Sequence, residues 1–371
     1  MKYSIFFSAL ILSFFANSCK NELPTTTKEE PSQKWEAVPI LEGMDIRYTI
    51  QHNGALYVGA VDERTKNGAV YKTQDAKNWT KVKQLGFGFG AIATHGDTLY
   101  VMGDSLYRYH PSFGWQSLFA CFFGRIVSDM TFYKGKLYAM LDRGNPRTLR
   151  VEMNGEWTAL RPLNGYETSL ARFCKINQGD SEVVYVRPLP TAQTGIIFRF
   201  DGERFIQEPT IGLTGQEYPT TNAMIARGDS LLLGYYVWYG PGVPTGGIIK
   251  SYKNGEFSNL PTDSLPLLSL NSQLENPFST YPNSLGFQDN RLFVATSPIG
   301  VVEWIPKTRS WKNLSKGLPT ISSDTTYKDF FASITFLEVF KGYIVVGYGH
   351  PPFVFHLTTR GMYTYRISEL N

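Results

Sequence analysis

Few side chains in this chain of 371 residues stand at spacings that support chemistry. The five histidines, His52, His95, His110, His350 and His356, are scattered. No two are spaced to hold a metal, and none has a visible acid–base partner. Cys19, Cys121 and Cys174 show no metal-ligand spacing either. In an exported chain Cys121 and Cys174 could pair, and buried free thiols fit equally well. Gly103-Asp104-Ser105-Leu106 and Gly228-Asp229-Ser230-Leu231 spell the block in which a serine serves as an esterase nucleophile. That reaction needs the serine after a parallel strand and an Asp-x-x-His pair near the C-terminus, and neither condition is met. Gly86-Phe87-Gly88-Phe89-Gly90 lacks the following helix of a phosphate loop; its glycines suit an inner strand close to a crowded axis. No catalytic residue, no metal and no cofactor is expected.

The side chains best suited to an interaction are aromatic. Between Gly234 and Pro244, Tyr235, Tyr236, Trp238 and Tyr239 crowd together among glycines and prolines. Exposed, such rings stack on the apolar faces of sugars or grip a peptide, which makes these four the candidate ligand-binding residues. The other reading makes Tyr235, Val237 and Tyr239 one packed face of a strand extension. Pro261 to Pro282 is a second insertion. Extra length on a rigid scaffold often carries binding.

The elements that must position these segments repeat. Leu56-Tyr57-Val58, Leu99-Tyr100-Val101, Leu137-Tyr138-Ala139, Val184-Tyr185-Val186, Leu231-Leu232-Leu233, Leu292-Phe293-Val294 and Ile344-Val345-Val346 recur at steps of 38 to 61 residues. Tight-turn pairs such as Asn53-Gly54, Gly96-Asp97 and Lys341-Gly342 precede them, and these residue types tolerate the positive φ of a two-residue hairpin. An aromatic closes each unit: Trp79, Trp115, Trp157, Phe205, Phe257, Trp311 and Tyr363. The period implies one four-stranded sheet per unit. A lone sheet cannot bury both faces, whereas a ring can. The expected fold is an all-β propeller of seven four-stranded blades over residues 35–371. Trp35-Glu36-Ala37-Val38 looks like a stray outer strand, while Met362 to Ile367 already supplies the last unit, so the closing strand stays open.

Two segments resemble the sialidase-like (BNR, Asp-box) propeller superfamily. In Thr73-Gln74-Asp75-Ala76-Lys77-Asn78-Trp79 the threonine, aspartate and tryptophan match the Asp-box. Ala76 replaces the usual glycine and the spacing is one residue short. Trp311-Lys312-Asn313-Leu314-Ser315-Lys316-Gly317-Leu318-Pro319 is similar to a blade ending frequent in the same superfamily. The resemblance implies a structural role for Thr73, Asp75 and Trp79. A sialidase would add an arginine triad, a tyrosine nucleophile with an acidic partner, and an early Arg-Ile-Pro segment. That segment is missing, and Arg47-Tyr48-Thr49 stands nearest its place.

The N-terminus has the layout of a signal peptide over residues 1–18: Lys2, an apolar run from Ile5 to Phe15, then Ala16-Asn17-Ser18. Cys19 directly after the cut resembles a bacterial lipobox, which implies acylation of Cys19 and, with Lys20 next to it, an outer-membrane destination. Residues 19–34 are rich in Thr, Glu, Lys, Pro and Ser and read as a flexible tether. The net charge of +4 is small and unclustered, so no nucleic-acid partner is expected. The whole suggests a non-catalytic envelope lipoprotein that touches the membrane through its anchor only and binds a glycan, a peptide or a partner protein. A sialidase-like glycan hydrolase with a dispersed site, and a structural subunit of an envelope complex, are the alternatives.

Overall fold

The computed structural model describes residues 34–120, 127–141, 148–153, 156–162, 170–178, 181–188, 195–211, 218–238, 246–260, 281–297, 299–319, 334–348 and 360–367. Among these residues twenty-eight strands form seven sheets of four. Strand β1 (Glu36–Ala37) comes first, before a short 3₁₀ turn at Pro39–Leu41. The first blade is β2 (Met44–His52), β3 (Ala55–Asp62), β4 (Asn67–Thr73) and β5 (Trp79–Phe87). The second is β6 (Ile92–His95), β7 (Thr98–Met102), β8 (Ser105–His110) and β9 (Gly114–Ala120). The third is β10 (Val127–Tyr133), β11 (Lys136–Leu141), β12 (Thr148–Met153) and β13 (Glu156–Pro162). The fourth is β14 (Leu170–Gln178), β15 (Ser181–Pro188), β16 (Phe198–Phe200) and β17 (Phe205–Gln207). The fifth is β18 (Tyr218–Arg227), β19 (Ser230–Trp238), β20 (Gly246–Lys253) and β21 (Glu256–Asn259). The sixth is β22 (Tyr281–Gln288), β23 (Arg291–Ser297), β24 (Gly300–Ile305) and β25 (Ser310–Asn313). The seventh holds β26 (Ile334–Phe340), β27 (Tyr343–Tyr348) and β28 (Gly361–Arg366), and β1 supplies its fourth strand. Inner strands pack on inner strands all the way round, from β2 through β6, β10, β14, β18, β22 and β26 back to β2. The protein is a seven-bladed β-propeller.

The repeated Leu-Tyr-Val phrase is the second strand of each blade. The turn before it has the backbone its residues invite: φ is 47° at Asn53, 68° at Gly54, 48° at Lys341 and 77° at Gly342. Gly86 to Gly90 is not an inner strand. It ends β5 and links it to β6, and Phe89 drops onto Gly59, where a Cβ would lie 2.0 Å from the ring.

Closure resolves in favour of the N-terminus. Glu36 pairs with Thr364 and Ala37 with Tyr363, which makes Met362 to Arg366 the third strand and β1 the fourth. The aromatic that closes the last blade is therefore Trp35, not Tyr363. Trp35 lies 5.1 Å from Tyr365, matching Tyr109–Trp115 at 5.2 Å, Phe200–Phe205 at 5.1 Å, Tyr252–Phe257 at 4.9 Å and Trp304–Trp311 at 5.3 Å. One cross-strand ring pair thus recurs in five blades, each pair adding attraction beyond its area.

Apolar side chains from facing sheets fill the gaps between blades, so each sheet is buried on both faces. The joint between the last and first blades joins Val38, Leu41, Leu56, Tyr71, Trp79, Phe336 and Val345 in one cluster. Strand direction gives the ring two unlike ends. At one end sit the two-residue turns between first and second strands and the short polar turns between third and fourth. At the other, second strands end, third strands begin, and each blade's first strand enters.

Two buried phenols are poorly placed. The Tyr235 and Tyr348 rings are fully buried, and among the described residues the Tyr348 hydroxyl has no hydrogen-bond partner. Burial pushes both hydroxyls far above the ordinary tyrosine value. An unsatisfied buried hydroxyl costs about 1–3 kcal/mol. Tyr348→Phe should therefore raise stability by roughly 1 kcal/mol, read as a higher midpoint in urea unfolding; a lower midpoint would mean the hydroxyl has a partner.

Candidate functional site

Six of the seven inner strands carry a bulge near the end where the chain enters the blade, between Ile46/Tyr48, Val127/Asp129, Leu170/Arg172, Thr221/Ala223, Pro282/Ser284 and Ile334/Phe336. A bulge inserts one residue and re-aims its neighbours. Here it brings Tyr48, Asp129 and Arg172, from three different blades, together. Tyr48 packs on the cluster that contains the small residues Ala91 and Ala93 of the second blade. Its hydroxyl reaches Asp129 of the third.

Asp129 is fully buried and both its oxygens are occupied. Oδ1 accepts the Tyr48 hydroxyl and the Met130 N–H at 2.8 Å, and Oδ2 accepts the Phe173 N–H of the fourth blade at 2.6 Å. Ser284 repeats the last contact, its Oγ accepting the Leu337 N–H at 2.9 Å. The Arg172 guanidinium lies 4.3 Å from the centre of the Tyr48 ring and donates to the Arg47 carbonyl oxygen at 3.2 Å. Arg187 stands directly across the strand pair from Arg172. The Arg47 side chain turns the other way, to Asp45 at 2.5 Å and Glu63 at 3.8 Å.

Electrostatics follow from this crowding. Burial, then the Asp129 charge, holds the Tyr48 hydroxyl well above its ordinary value. Burial raises the Asp129 carboxyl against the opposing pull of Arg172. Burial, then repulsion from Arg172, lowers Arg187 to about 10. Burial also pushes Arg172 down, but Tyr48 and Asp129 outweigh it and leave Arg172 raised. Burial and Asp129 lift the half-buried free thiol of Cys174 to about 12, so it is inert at neutral pH. The cluster is a charged crosspiece at the axis, tying the first, third and fourth blades.

Lower on the same inner strands, Glu338 of β26 accepts Thr49 Oγ1 at 3.1 Å and Gln51 Nε2 at 3.2 Å across the joint between the last and first blades. Sequence reading missed Tyr48, Asp129, Arg172, Arg187 and Glu338 as members of one axial set. Counting back from the hairpin turns aligns Tyr48 with Asp129. Arg172 escapes that count because the fourth blade's first hairpin is two residues longer between bulge and turn.

Thr73, Asp75 and Trp79, the residues that resemble an Asp-box, hold their own turn. Asp75 Oδ1 accepts Lys77 N at 2.9 Å, Asn78 N at 2.7 Å and Thr73 Oγ1 at 3.1 Å, while Trp79 Nε1 donates to Ala76 O at 3.0 Å. The Asn78 N–H bond, ahead of the other donors, drops the Asp75 carboxyl far below its ordinary value. Ala76 has φ 63°, which is where the motif's usual glycine would sit without strain. The hairpin also stitches blades together, since Lys341 Nζ donates to Gln74 O at 2.7 Å.

Of the aromatic candidates, Tyr235 is fully buried, as is Val237, so this face of β19 is packed. Tyr236 is half-buried on the opposite face. Trp238 ends β19; its side chain, and all of Tyr239, lie outside the described residues, as do Cys19, Cys121, His350 and His356. Both Gly-Asp-Ser-Leu blocks fall on hairpins: Asp104 accepts Gly86 N at 3.1 Å and the Tyr107 hydroxyl at 3.0 Å, and Ser230 Oγ donates to Arg227 O at 2.8 Å. Among the described residues no group of histidine, cysteine and acid side chains could hold a metal, and no helix is long and apolar enough to cross a membrane.

No protein-family model and no curated protein matches the chain. Solved structures do. The extracellular domain of the putative one component system BT4673 from B. thetaiotaomicron is 11% identical, with a TM-score of 0.51 over 91% of this chain and 40% of that one. The chain thus spans less than half the length of that neighbour. YCF48, solved bound to a D1 peptide, is 10% identical, with a TM-score of 0.52 over 91% of this chain and 96% of that one. Likeness at these identities shows the fold, a β-propeller.

Burial raises the Glu338 carboxyl above its ordinary value of 4.5, outweighing the Gln51 and Thr49 donors. A carboxyl raised on folding contributes stability that is full below the unfolded value and lost as pH rises through the folded one. Glu338→Gln should remove that loss. The variant should be more stable than the parent at neutral pH and show a flatter profile above pH 4.5, measured by thermal unfolding across pH. A variant less stable at neutral pH would show that the charge helps hold the joint.

Proposed function

We propose that the protein is a non-catalytic propeller lipoprotein of the bacterial outer membrane. It binds a glycan, a peptide or a partner protein through the end where its long connections emerge. The observation that carries this reading is the inequality of the two ends. One end is made of tight turns, mostly polar, with Phe113 the exposed exception among the described residues. The connections at the other hold Phe122, Phe123, Tyr166, Tyr239, Phe278, Tyr327, Phe330, Phe331, Phe353 and Phe355 in the sequence, with prolines among them. Binding residues are disproportionately found on loops held by a rigid scaffold, and aromatic side chains commonly line binding sites. The axial crosspiece lies under the same end, because the bulges sit where the inner strands begin. Arg172 and Arg187 there suit an acidic group on the ligand.

The N-terminal reading supplies the address: a signal peptide over residues 1–18, acylation of Cys19 and a tether over residues 19–34. Strand β1 runs antiparallel to β28, so the chain reaches the ring from the end with the tight turns. An extracellular domain and a peptide-bound protein among the structural neighbours support a binding role outside the cytoplasm.

A second reading rests on one specific observation. A tyrosine bonded to a buried acid, with two arginines beside it, has the ingredients of a glycan hydrolase. Against it, the Asp129 oxygens are already occupied by two backbone N–H groups, and burial makes the Tyr48 hydroxyl a poor nucleophile. The two readings separate in one experiment. On glycan and peptide arrays the wild type should retain a defined subset of ligands. A variant with Tyr239→Ala and residues 261–280 replaced by a short Gly-Ser link should lose that subset with its circular dichroism unchanged. Retention by the variant contradicts the binding surface. Turnover of chromogenic sialosides or other glycosides, abolished in Tyr48→Phe, would establish the hydrolase instead.

A further inference from the structure

The outer strands of the seven blades differ in how they guard their open edges. β17, β21, β25 and β1 span only 3, 4, 4 and 2 residues, too short to template pairing with another chain. β5, β9 and β13 run for 9, 7 and 7 residues. β5 displays Lys81 and Lys83, and β13 contains Glu156 and Arg161, charges of the kind that repel an incoming strand. β9, Gly114-Trp115-Gln116-Ser117-Leu118-Phe119-Ala120, has no charge and no proline. Among the described residues nothing pairs with its outer edge. Gln116, Ser117 and Ala120 are exposed, Leu118 is 36% exposed, and Phe113 just before the strand is 71% exposed.

We propose that β9 pairs edge to edge with β9 of a second copy, antiparallel, about a two-fold axis. The occupant follows from the edge itself. A row of unpaired N–H and C=O groups is satisfied along its length only by another extended backbone. Two-fold symmetry sets a strand antiparallel to its own copy, so the contact closes at a dimer. An uncharged edge meets itself without the repulsion that Lys81 and Lys83 would impose at β5. Size sets the register. The bulge at Leu118, opposite Leu106 and Tyr107, leaves that side chain partly exposed, while nothing lies within 4 Å of the Cβ position of Gly114. A register centred on Gln116 places Leu118 of each copy against Gly114 of the other and covers Phe113. The edge is short beside a standard interface of about 1,600 Å², so the dimer is weak and favoured by crowding on a surface. This rim is separate from the end proposed for ligand binding.

The test is disulfide trapping in the full chain, in membranes, with Cys121→Ser as background. Gln116→Cys lies on the proposed axis and should form a dimer on a non-reducing gel under mild oxidation. Thr80→Cys, exposed on β5, should not. Adding Leu118→Lys to Gln116→Cys should remove most of the cross-linked product, with circular dichroism as a check on folding. Equal cross-linking from Gln116→Cys and Thr80→Cys, no cross-linking from Gln116→Cys, or persistence with Leu118→Lys, would each overturn the proposal.

Discussion

Everything in this molecule depends on closing the ring. A four-stranded sheet with two apolar faces is stable only between two others, and an open stack leaves two such faces in water. The last blade lacks an outer strand until residues from the far end of the chain supply it. β1 gives that strand only two residues, so side chains do most of the fastening. Trp35 sits on Tyr365 and donates from its ring nitrogen to the Leu314 carbonyl of the sixth blade at 2.6 Å. Val38 N donates to Met362 O at 2.9 Å, and Leu41 is fully buried between the last and first blades. The same joint is stitched at the axis by Glu338 with Thr49 and Gln51, and at the tight-turn end by Lys341 with Gln74. Three levels of one joint are thus held by three kinds of contact: apolar burial, side-chain hydrogen bonds and a lysine on a backbone carbonyl.

At the axis the fold accepts buried charge, which is costly unless its partners are in place. Asp129 has them, and two are backbone N–H groups fixed by β-structure. The cluster links blades that are not neighbours, since Tyr48 passes the small side chains of the second blade to reach the third. That gives it a structural role whether or not a ligand ever meets Arg172. A tyrosine, an acid and arginines thus converge at the centre of the propeller with the acid's oxygens filled and the phenol held protonated.

The blade count and the strand identities were legible because each unit repeats the same turn chemistry before the same apolar phrase, and period-2 alternation with Gly, Asn or Asp at the turn has few other solutions. The self-contained turn from Thr73 to Trp79 was legible for the same local reason: its bonds form within seven residues. Closure was not, because β1 is two residues long and its partners stand more than 300 positions away. Its signal was Trp35, a seventh ring in the position occupied by Trp115 or Trp311 elsewhere, hidden by the aromatic-rich β28. The axial cluster was illegible for a different reason. Bulges shift register by one residue, and side chains re-aimed by a bulge cannot be placed by alternation. The burial of Tyr235 shows the opposite limit: a run of rings beside glycines reads as a loop, but its first members continue β19 into the core.

The claim that ring closure through the N-terminal segment holds the structure together can be measured with Trp35→Ala in urea unfolding monitored by circular dichroism. Removing a buried tryptophan from a joint of this kind is expected to cost about 3–5 kcal/mol, with the midpoint lowered for the whole ring at once. An unchanged midpoint, or a loss confined to a small early transition while the other six blades unfold as before, would contradict it.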